Sequence, residues 1–236
     1  MNPSLAQVLE RSDIRRGDAF AMVPTLATGF SQLDAELPGG GWPRGALTEL
    51  LPEHGGIGEL GLLLPALAAL TAAGQTVVLI APPHGAHAPA WAAAGIRLDC
   101  LRLVFPRQPR DALWAGVEVL RCGGVAATLL WLDPPLRGHL PANSLRRLHV
   151  AAGEGGGGAF CFRPPQAAAE ASPAPLRLQL QAAGEQLRVQ LLKRRGPPAR
   201  RSILLDISRP AHFSHAVAGA VLPDATDIRR RTRIAA

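Results

Sequence analysis

The sequence predicts an α/β protein with a mainly parallel sheet that helices cover on both faces. Short apolar strands alternate with helical segments of about ten residues along most of the chain. One strand, TVVLIA at 76–81, is apolar throughout, which is typical of a parallel strand buried on both sides. The chain of 236 residues is long enough for one well-buried domain with appendages.

The amino-terminal part is predicted to hold a helical arm and the first core strand. Residues 3–16 form the arm, because apolar side chains repeat there at helical spacing. A helical turn at 30–37 ends at PGGGWPRG, whose glycines and prolines interrupt regular structure. Residues 46–51 form a short apolar strand, and the loop PEHGGIGE follows it.

Helices and strands then alternate through the middle of the chain. An apolar helix at 60–73 ends at Gly74, and the strand at 76–81 follows. The same pattern continues with helices at 88–94, 110–122 and 144–152 and strands at 101–105, 127–132 and 159–162.

The carboxyl-terminal part changes character. Residues 164–175, rich in proline and alanine, are predicted to be a mobile loop. The segments 176–181 and 186–192 alternate apolar and polar residues around AAGE, which indicates a β-hairpin. A last strand is expected at 202–207, and weak order from residue 209 onward.

The composition indicates a globular protein. Apolar residues make up 47% of the chain and charged residues 18%. With six Phe, four Trp and no Tyr, the core must consist mainly of Leu, Ala and Val, and we expect Trp114 and Trp131 to pack within it. No apolar run could span a membrane, and no signal peptide is visible. Three isolated cysteines fit a reduced cytoplasm.

The positive charge is concentrated near the carboxyl terminus. The segment 193–236 carries the whole formal net charge of +7, and the residues before it balance to zero. Such basic runs bind nucleic-acid phosphates, dock on acidic proteins, or only aid solubility, and the sequence leaves all three open. The candidate contact residues are Lys193, Arg194, Arg195, Arg200, Arg201, Arg229, Arg230, Arg231 and Arg233.

The loop after the first core strand resembles a phosphate-binding loop that has lost its function. A working loop needs GxxxxGK followed by Ser or Thr, yet Glu59 takes the lysine position and Leu60 the hydroxyl position. Gly55, Gly56 and Gly58 remain. We therefore expect a non-catalytic protein without cofactor or metal, although a residual nucleotide-binding switch is an alternative.

Asp133 follows the strand at 127–132, where such folds hold an aspartate that helps bind magnesium. A second interpretation is that it caps the turn before Pro134.

Several motifs resemble one known family. TGFSQLD at 28–34, PGGGWPRG at 38–45 and LTEL at 47–50 resemble the stretch that leads into the P-loop of RecA-type recombinases. The resemblance covers roughly residues 4–207. Together with the missing loop lysine and KRRG at 193–196, it makes the chain similar to the ImuA family of RecA-like, SulA-related proteins of bacterial mutagenesis cassettes.

The resemblance implies a RecA-like core at 28–207, between an arm and linker at 1–27 and a basic tail at 208–236. It implies a role in SOS-induced translesion DNA synthesis with three partners: RecA, an ImuB-like homologue of Y-family polymerases, and an error-prone C-family DNA polymerase. It also implies association with the nucleoid after DNA damage. A SulA-type inhibitor of cell division is an alternative.

Two features of the RecA-type machinery are altered or reduced in this sequence. Pro83 stands at the catalytic acid position, and Arg163 at the end of the strand that would carry a nucleotide-sensing glutamine.

The arm that would dock on RecA corresponds to the helix bearing Leu5, Val8, Leu9 and Ile14. The alternative is that this helix folds back on its own core.

Overall fold

The structure is a computed structural model that describes residues 24–132, 143–196 and 202–207. An eight-stranded sheet dominates this part of the chain, in the order β10-β9-β8-β3-β7-β6-β4-β5. Its strands are β3 (Ala46–Pro52), β4 (Thr76–Ile80), β5 (Leu101–Val104), β6 (Val125–Trp131), β7 (Gly158–Phe162), β8 (Leu176–Ala183), β9 (Gln186–Lys193) and β10 (Ile203–Asp206). Two short strands, β1 (Thr25–Leu26) and β2 (Trp42–Pro43), form a separate antiparallel pair.

The direction of the strands divides the large sheet into two parts. The six strands from β8 to β5 run parallel, with β3 near the middle. β9 is antiparallel to both β8 and β10. The predicted α/β class with a mainly parallel sheet is therefore confirmed.

Helices pack on both faces of the sheet, and each face has its own apolar core. The described helices are α1 (Ser31–Glu36), α2 (Leu64–Ala72), α3 (Ala88–Ala93), α4 (Pro109–Arg121) and α5 (Ser144–Gly155). The first three contribute Leu33, Leu67 and Trp91 to one core cluster. The last two contribute residues such as Leu120 and Leu148 to the other. None of the helices in the described ranges has the length and apolarity needed to cross a membrane.

Helix α2 starts later than the sequence predicts. It begins at Leu64 and not at residue 60, so Pro65 falls in the first turn. Proline is tolerated there because the first helical N–H groups have no partner within the helix. In the predicted helix it would have stood in the interior and removed a hydrogen bond.

Two other expectations need correction. Trp114 is 63% exposed, because the buried positions of α4, such as Ala112, Ala115 and Leu120, form a stripe that excludes it. Trp131, by contrast, is buried and stacks on Phe162 with ring centroids 4.6 Å apart. The predicted mobile loop at 164–175 contains a short 3-10 helix, Pro165–Ala169, and a fully buried Ala174.

A close backbone approach fixes how α4 and α5 pack. A Cβ atom on Gly155, at the end of α5, would lie 1.8 Å from the carbonyl oxygen of Leu120 in α4. Real Cβ atoms cannot approach a carbonyl oxygen so closely, so a side chain here would force the helices apart.

We predict that Gly155→Ala lowers the free energy of unfolding by about 1–3 kcal/mol, the usual cost of overpacking. The measurement is urea denaturation followed by circular dichroism. Gly123→Ala is the matched control, because a Cβ atom there has no neighbour within 4 Å. Equal stability of the two variants would contradict the role given to the Gly155 contact.

Candidate functional site

A cleft of about 320 Å³ opens at the carboxyl edge of the parallel strands. Its walls are the loop 52–59 after β3, Pro83 and His84 after β4, and the segment 162–165 at the end of β7. Trp131, the last residue of β6, also lines it. Open α/β sheets bind their ligands at this edge, so the cleft is the candidate site.

Glu59 forms a hydrogen bond within the loop 52–59 of the cleft. The backbone N–H of Gly56 points at this carboxylate and lies 3.1 Å from each of its oxygens. Gly56 has a φ of +83°, a conformation that glycine adopts readily and that aims its N–H into the loop. The backbone N–H of Gly56 is thus bonded to a carboxylate of the chain itself. In a phosphate-binding loop, such N–H groups donate to the phosphate of the ligand.

A second carboxylate strengthens the negative field. Glu53 Oε1 accepts a hydrogen bond from the backbone N–H of Ala182 at 2.7 Å and lies 3.8 Å from His54 Nε2. Amide donors stabilise a carboxylate but do not neutralise its charge. Glu53 and Glu59 thus place two carboxylates in the wall of the cleft, where they disfavour the approach of a phosphate.

The predicted loop residues separate into two groups. Gly55, Gly56 and Glu59 line the cleft, whereas Gly58 lies against Ile207 on the far side of the loop. Asp133 lies outside the described residues, as do Leu5, Val8, Leu9 and Ile14 of the arm.

A buried ionic network, which the sequence did not reveal, adjoins the cleft. Glu49, on the central strand β3, is fully buried and pairs with two arginines. Arg177 Nε, on the neighbouring β8, donates to Glu49 Oε2 at 2.8 Å. Arg163 Nη1, just after β7, lies 3.7 Å from Glu49 Oε1. One carboxylate thereby joins three adjacent strands.

The same network holds the segment 164–175 against the sheet. Arg163 Nη2 donates to Glu170 Oε2 at 2.6 Å, and Arg177 Nη2 donates to the carbonyl oxygen of Ala167 at 2.6 Å. The hydroxyl of Ser172 donates to Glu49. This segment is anchored because it completes the shell around a buried charge, and apolar packing alone does not explain its position.

We predict that Glu49→Gln lowers the free energy of unfolding by about 3 kcal/mol or more, because both arginines would lose their common buried counter-charge. Chemical denaturation measures it. The control is Glu170→Gln: the side chain of Glu170 is 53% exposed, so its loss should cost less than about 1 kcal/mol. Equal losses of unfolding free energy in the two variants would contradict the prediction that the buried Glu49 contributes more to stability than the exposed Glu170.

The described basic residues at the end of β9 are partly used in structural contacts. Lys193 Nζ donates to the carbonyl oxygen of Ser172 at 2.8 Å. Arg194 Nη1 contacts the carboxylate of Glu36 at 2.8 Å. Arg195 lines a shallow apolar groove with Pro38 and other residues. The other predicted contact residues, Arg200, Arg201, Arg229, Arg230, Arg231 and Arg233, lie outside the described ranges.

Two of these basic residues influence a histidine at the amino edge of the sheet. His149 Nδ1, on α5, accepts the backbone N–H of Leu47 at 3.3 Å. Partial burial, followed by the positive charges of Arg195 and Lys193, holds the pKa of His149 below its usual value. The neutral imidazole is therefore the form that binds β3, because a protonated ring offers no acceptor.

We predict that His149 makes the stability of the protein depend on pH below about pH 6.5, the usual histidine value. The unfolded chain takes up the proton at a higher pH than the folded one, so the stabilisation is complete above that value. It is lost as the pH falls through the lowered pKa of the folded state. Denaturation at a series of pH values measures this loss.

The matched variants are His149→Asn and His87→Asn. Asparagine at position 149 keeps an acceptor for Leu47 but does not titrate, so this variant should lose less stability than the parent between pH 7 and 5.5. His87 is exposed, and His87→Asn serves as the control for removing one histidine from the chain. Identical pH profiles for the parent and His149→Asn would contradict the assignment.

The described residues contain no cluster of three His, Cys, Asp or Glu side chains placed to hold a metal ion. Burial, with the nearby charge of Glu49, raises the pKa of the Cys161 thiol, which makes it a poor nucleophile.

Comparison with known proteins identifies no relative: the chain matches no protein-family model and none of the curated proteins searched.

Proposed function

We propose that this chain is a non-catalytic accessory protein of SOS-induced translesion DNA synthesis, built on a RecA-like core. In this role it binds RecA and connects it to an ImuB-like homologue of Y-family polymerases and an error-prone C-family DNA polymerase. The proposal derives from the RecA-type motifs at 28–50 and is supported by the mainly parallel sheet with β3 near its centre.

The residues that carry the resemblance form one structural unit, which supports a common fold. Thr28 N–H donates to Asp34 Oδ1 at 3.0 Å, so the two ends of TGFSQLD are tied together. Gly29 between them has a φ of +86°, and a Cβ atom there would lie 2.4 Å from Cβ of Pro65. The motif therefore positions α1 against α2, the helix that follows the glycine loop.

The contact between Glu59 and Gly56 is the main support for proposing that the protein is not catalytic. A P-loop ATPase needs a cation and free backbone donors at this point. Here a carboxylate stands in place of the lysine and occupies the backbone donor of Gly56. Glu53 adds a second negative charge in the same wall. A core built in this way is suited to protein recognition and unsuited to ATP turnover.

Partner binding is assigned to the arm at 1–17 and to the basic carboxyl-terminal residues. The arm matches the RecA helix that docks on a neighbouring protomer, so we expect it to dock on RecA. Lys193 and Arg194 already make contacts within the chain, so the arginines from 195 onward are assigned to an acidic polymerase partner or to weak contact with DNA phosphates.

We predict that the purified chain binds RecA assembled on single-stranded DNA in the presence of ATP, and changes its ATPase rate or filament length. Deletion of residues 1–17 should abolish binding, measured by pulldown and titration, and leave the melting temperature almost unchanged. The neutral-loop variant Glu59→Gln is the control, because the arm and not the cleft is assigned to RecA.

Two results would contradict this assignment. Absence of RecA binding by the full chain would remove RecA from the partners and leave the polymerase side to be tested by the same titration. A large loss of stability on deletion would show that the arm packs on its own core.

A further inference from the structure

A shallow groove, which we call the amino-edge groove, opens where the parallel strands β3 and β8 begin. It holds about 30 Å³, which is room for the end of one aliphatic side chain. Five of its six lining residues are apolar, and three of these are prolines, which have no N–H to donate. The lining residues are Pro38, Pro43, Ala46, Pro175, Leu176 and Arg195.

The backbone holds the walls of this groove in place. Ala46 is the first residue of β3 and Leu176 the first residue of β8, and these strands are parallel neighbours in the sheet. Pro38 lies in a turn that the N–H of Gly40 closes by donating to the carbonyl oxygen of Leu37 at 2.9 Å. The groove is therefore formed before any ligand arrives, and a ligand that enters it orders little of the protein.

Three cationic side chains at this edge have no carboxylate partner among the described residues. Lys193 Nζ donates to the carbonyl oxygen of Ser172 at 2.8 Å, and Arg44 Nε donates to that of Gly156 at 3.2 Å. A carbonyl oxygen accepts the hydrogen bond but leaves the positive charge in place. The third cation, Arg195, is exposed at the rim of the groove.

The effect of these charges is visible at His149, which bonds to the backbone N–H of Leu47 beside the groove. After burial, the charges of Arg195 and Lys193 are the causes that hold the pKa of His149 below its usual value. An apolar groove thus lies at an edge with surplus positive charge. Such a surface is complementary to a ligand that is both apolar and acidic.

We propose that the amino-edge groove binds a segment of a partner protein in which one apolar side chain is flanked by aspartate or glutamate. The apolar side chain enters between the prolines, and the carboxylates face Arg195, Lys193 and Arg44. No aromatic ring lines the groove for a nucleic-acid base to stack on, so a peptide is favoured over a nucleic acid. This deepens the proposed function, on which it rests for the source of the acidic segment, a polymerase partner.

The test titrates the full chain into a fluorescein-labelled peptide of eight residues, with one leucine among aspartates and glutamates. Binding is followed by fluorescence anisotropy at low salt. We expect saturable binding that weakens as salt is added. The same peptide with serine in place of leucine should bind about tenfold more weakly, because it has no apolar side chain to bury in the groove.

A matched pair of variants locates the site. Arg195→Glu should weaken binding of the leucine peptide about tenfold, because a repulsion replaces an attraction at the rim of the groove. Arg188→Glu makes the same change of charge at an exposed position of β9 outside the groove, and it should leave the affinity nearly unchanged. Both positions are exposed, and melting temperatures check that both variants fold.

Four results would overturn the proposal: no binding of the leucine peptide, equal affinity for the serine peptide, equal effects of the two substitutions, or tighter binding of an oligothymidylate of eight nucleotides. The last result would assign this edge to nucleic acid. Binding of RecA and of the polymerase partners is titrated separately with the wild-type chain. Failure of the groove and failure of the proposed function are therefore distinguishable.

Discussion

The centre of the sheet depends on the ion pairs that the buried carboxylate of Glu49 forms with two arginines. Glu49 is fully buried on β3 and pairs with Arg177 on the neighbouring β8 and with Arg163, which directly follows β7 on the other side. Burying an unmatched charge would cost several kcal/mol, so neither arginine can be lost without cost. The pairing also draws in Glu170 and Ser172, and through them it orders the segment that connects β7 to β8.

The carboxyl edge of the sheet combines a glycine loop with acidic side chains. The loop follows a central parallel strand, at the edge where open α/β sheets bind ligands. The side chains of this loop carry negative charge, whereas a phosphate-binding loop carries a lysine. Glu59 satisfies the loop donor Gly56 from within the chain, and Glu53 is held beside it by Ala182. Both carboxylates are thus held in place by backbone N–H groups at the edge of the sheet where the cleft opens.

Local pattern predicted most of the fold but little of the site. Alternation of strands and helices indicated the five described α-helices and the strands of the large sheet, because apolar spacing is a local property. It did not indicate the short pair β1–β2, part of which lies in the glycine- and proline-rich segment 38–45. The Glu49–Arg177 pair joins residues 128 positions apart, and the sequence around neither residue indicates the pairing. Trp114 was misjudged because the aromatic character of a residue does not fix its side of a helix, whereas its position outside the buried stripe of α4 does. The replacement of the loop lysine by Glu59 was visible in the sequence, but the bond between Glu59 and Gly56 was not.

The two ends of β3 carry opposite charge, and this asymmetry governs what can approach each edge. At the amino end, His149 binds Leu47 and feels the positive charges of Lys193 and Arg195. At the carboxyl end, about 20 Å away along the seven-residue strand, the cleft presents Glu53 and Glu59. The basic residues near His149 therefore distinguish the amino edge from the carboxyl edge, where two carboxylates line the cleft. A charged partner would meet a different field at each edge, and such a difference favours one docking orientation over the other.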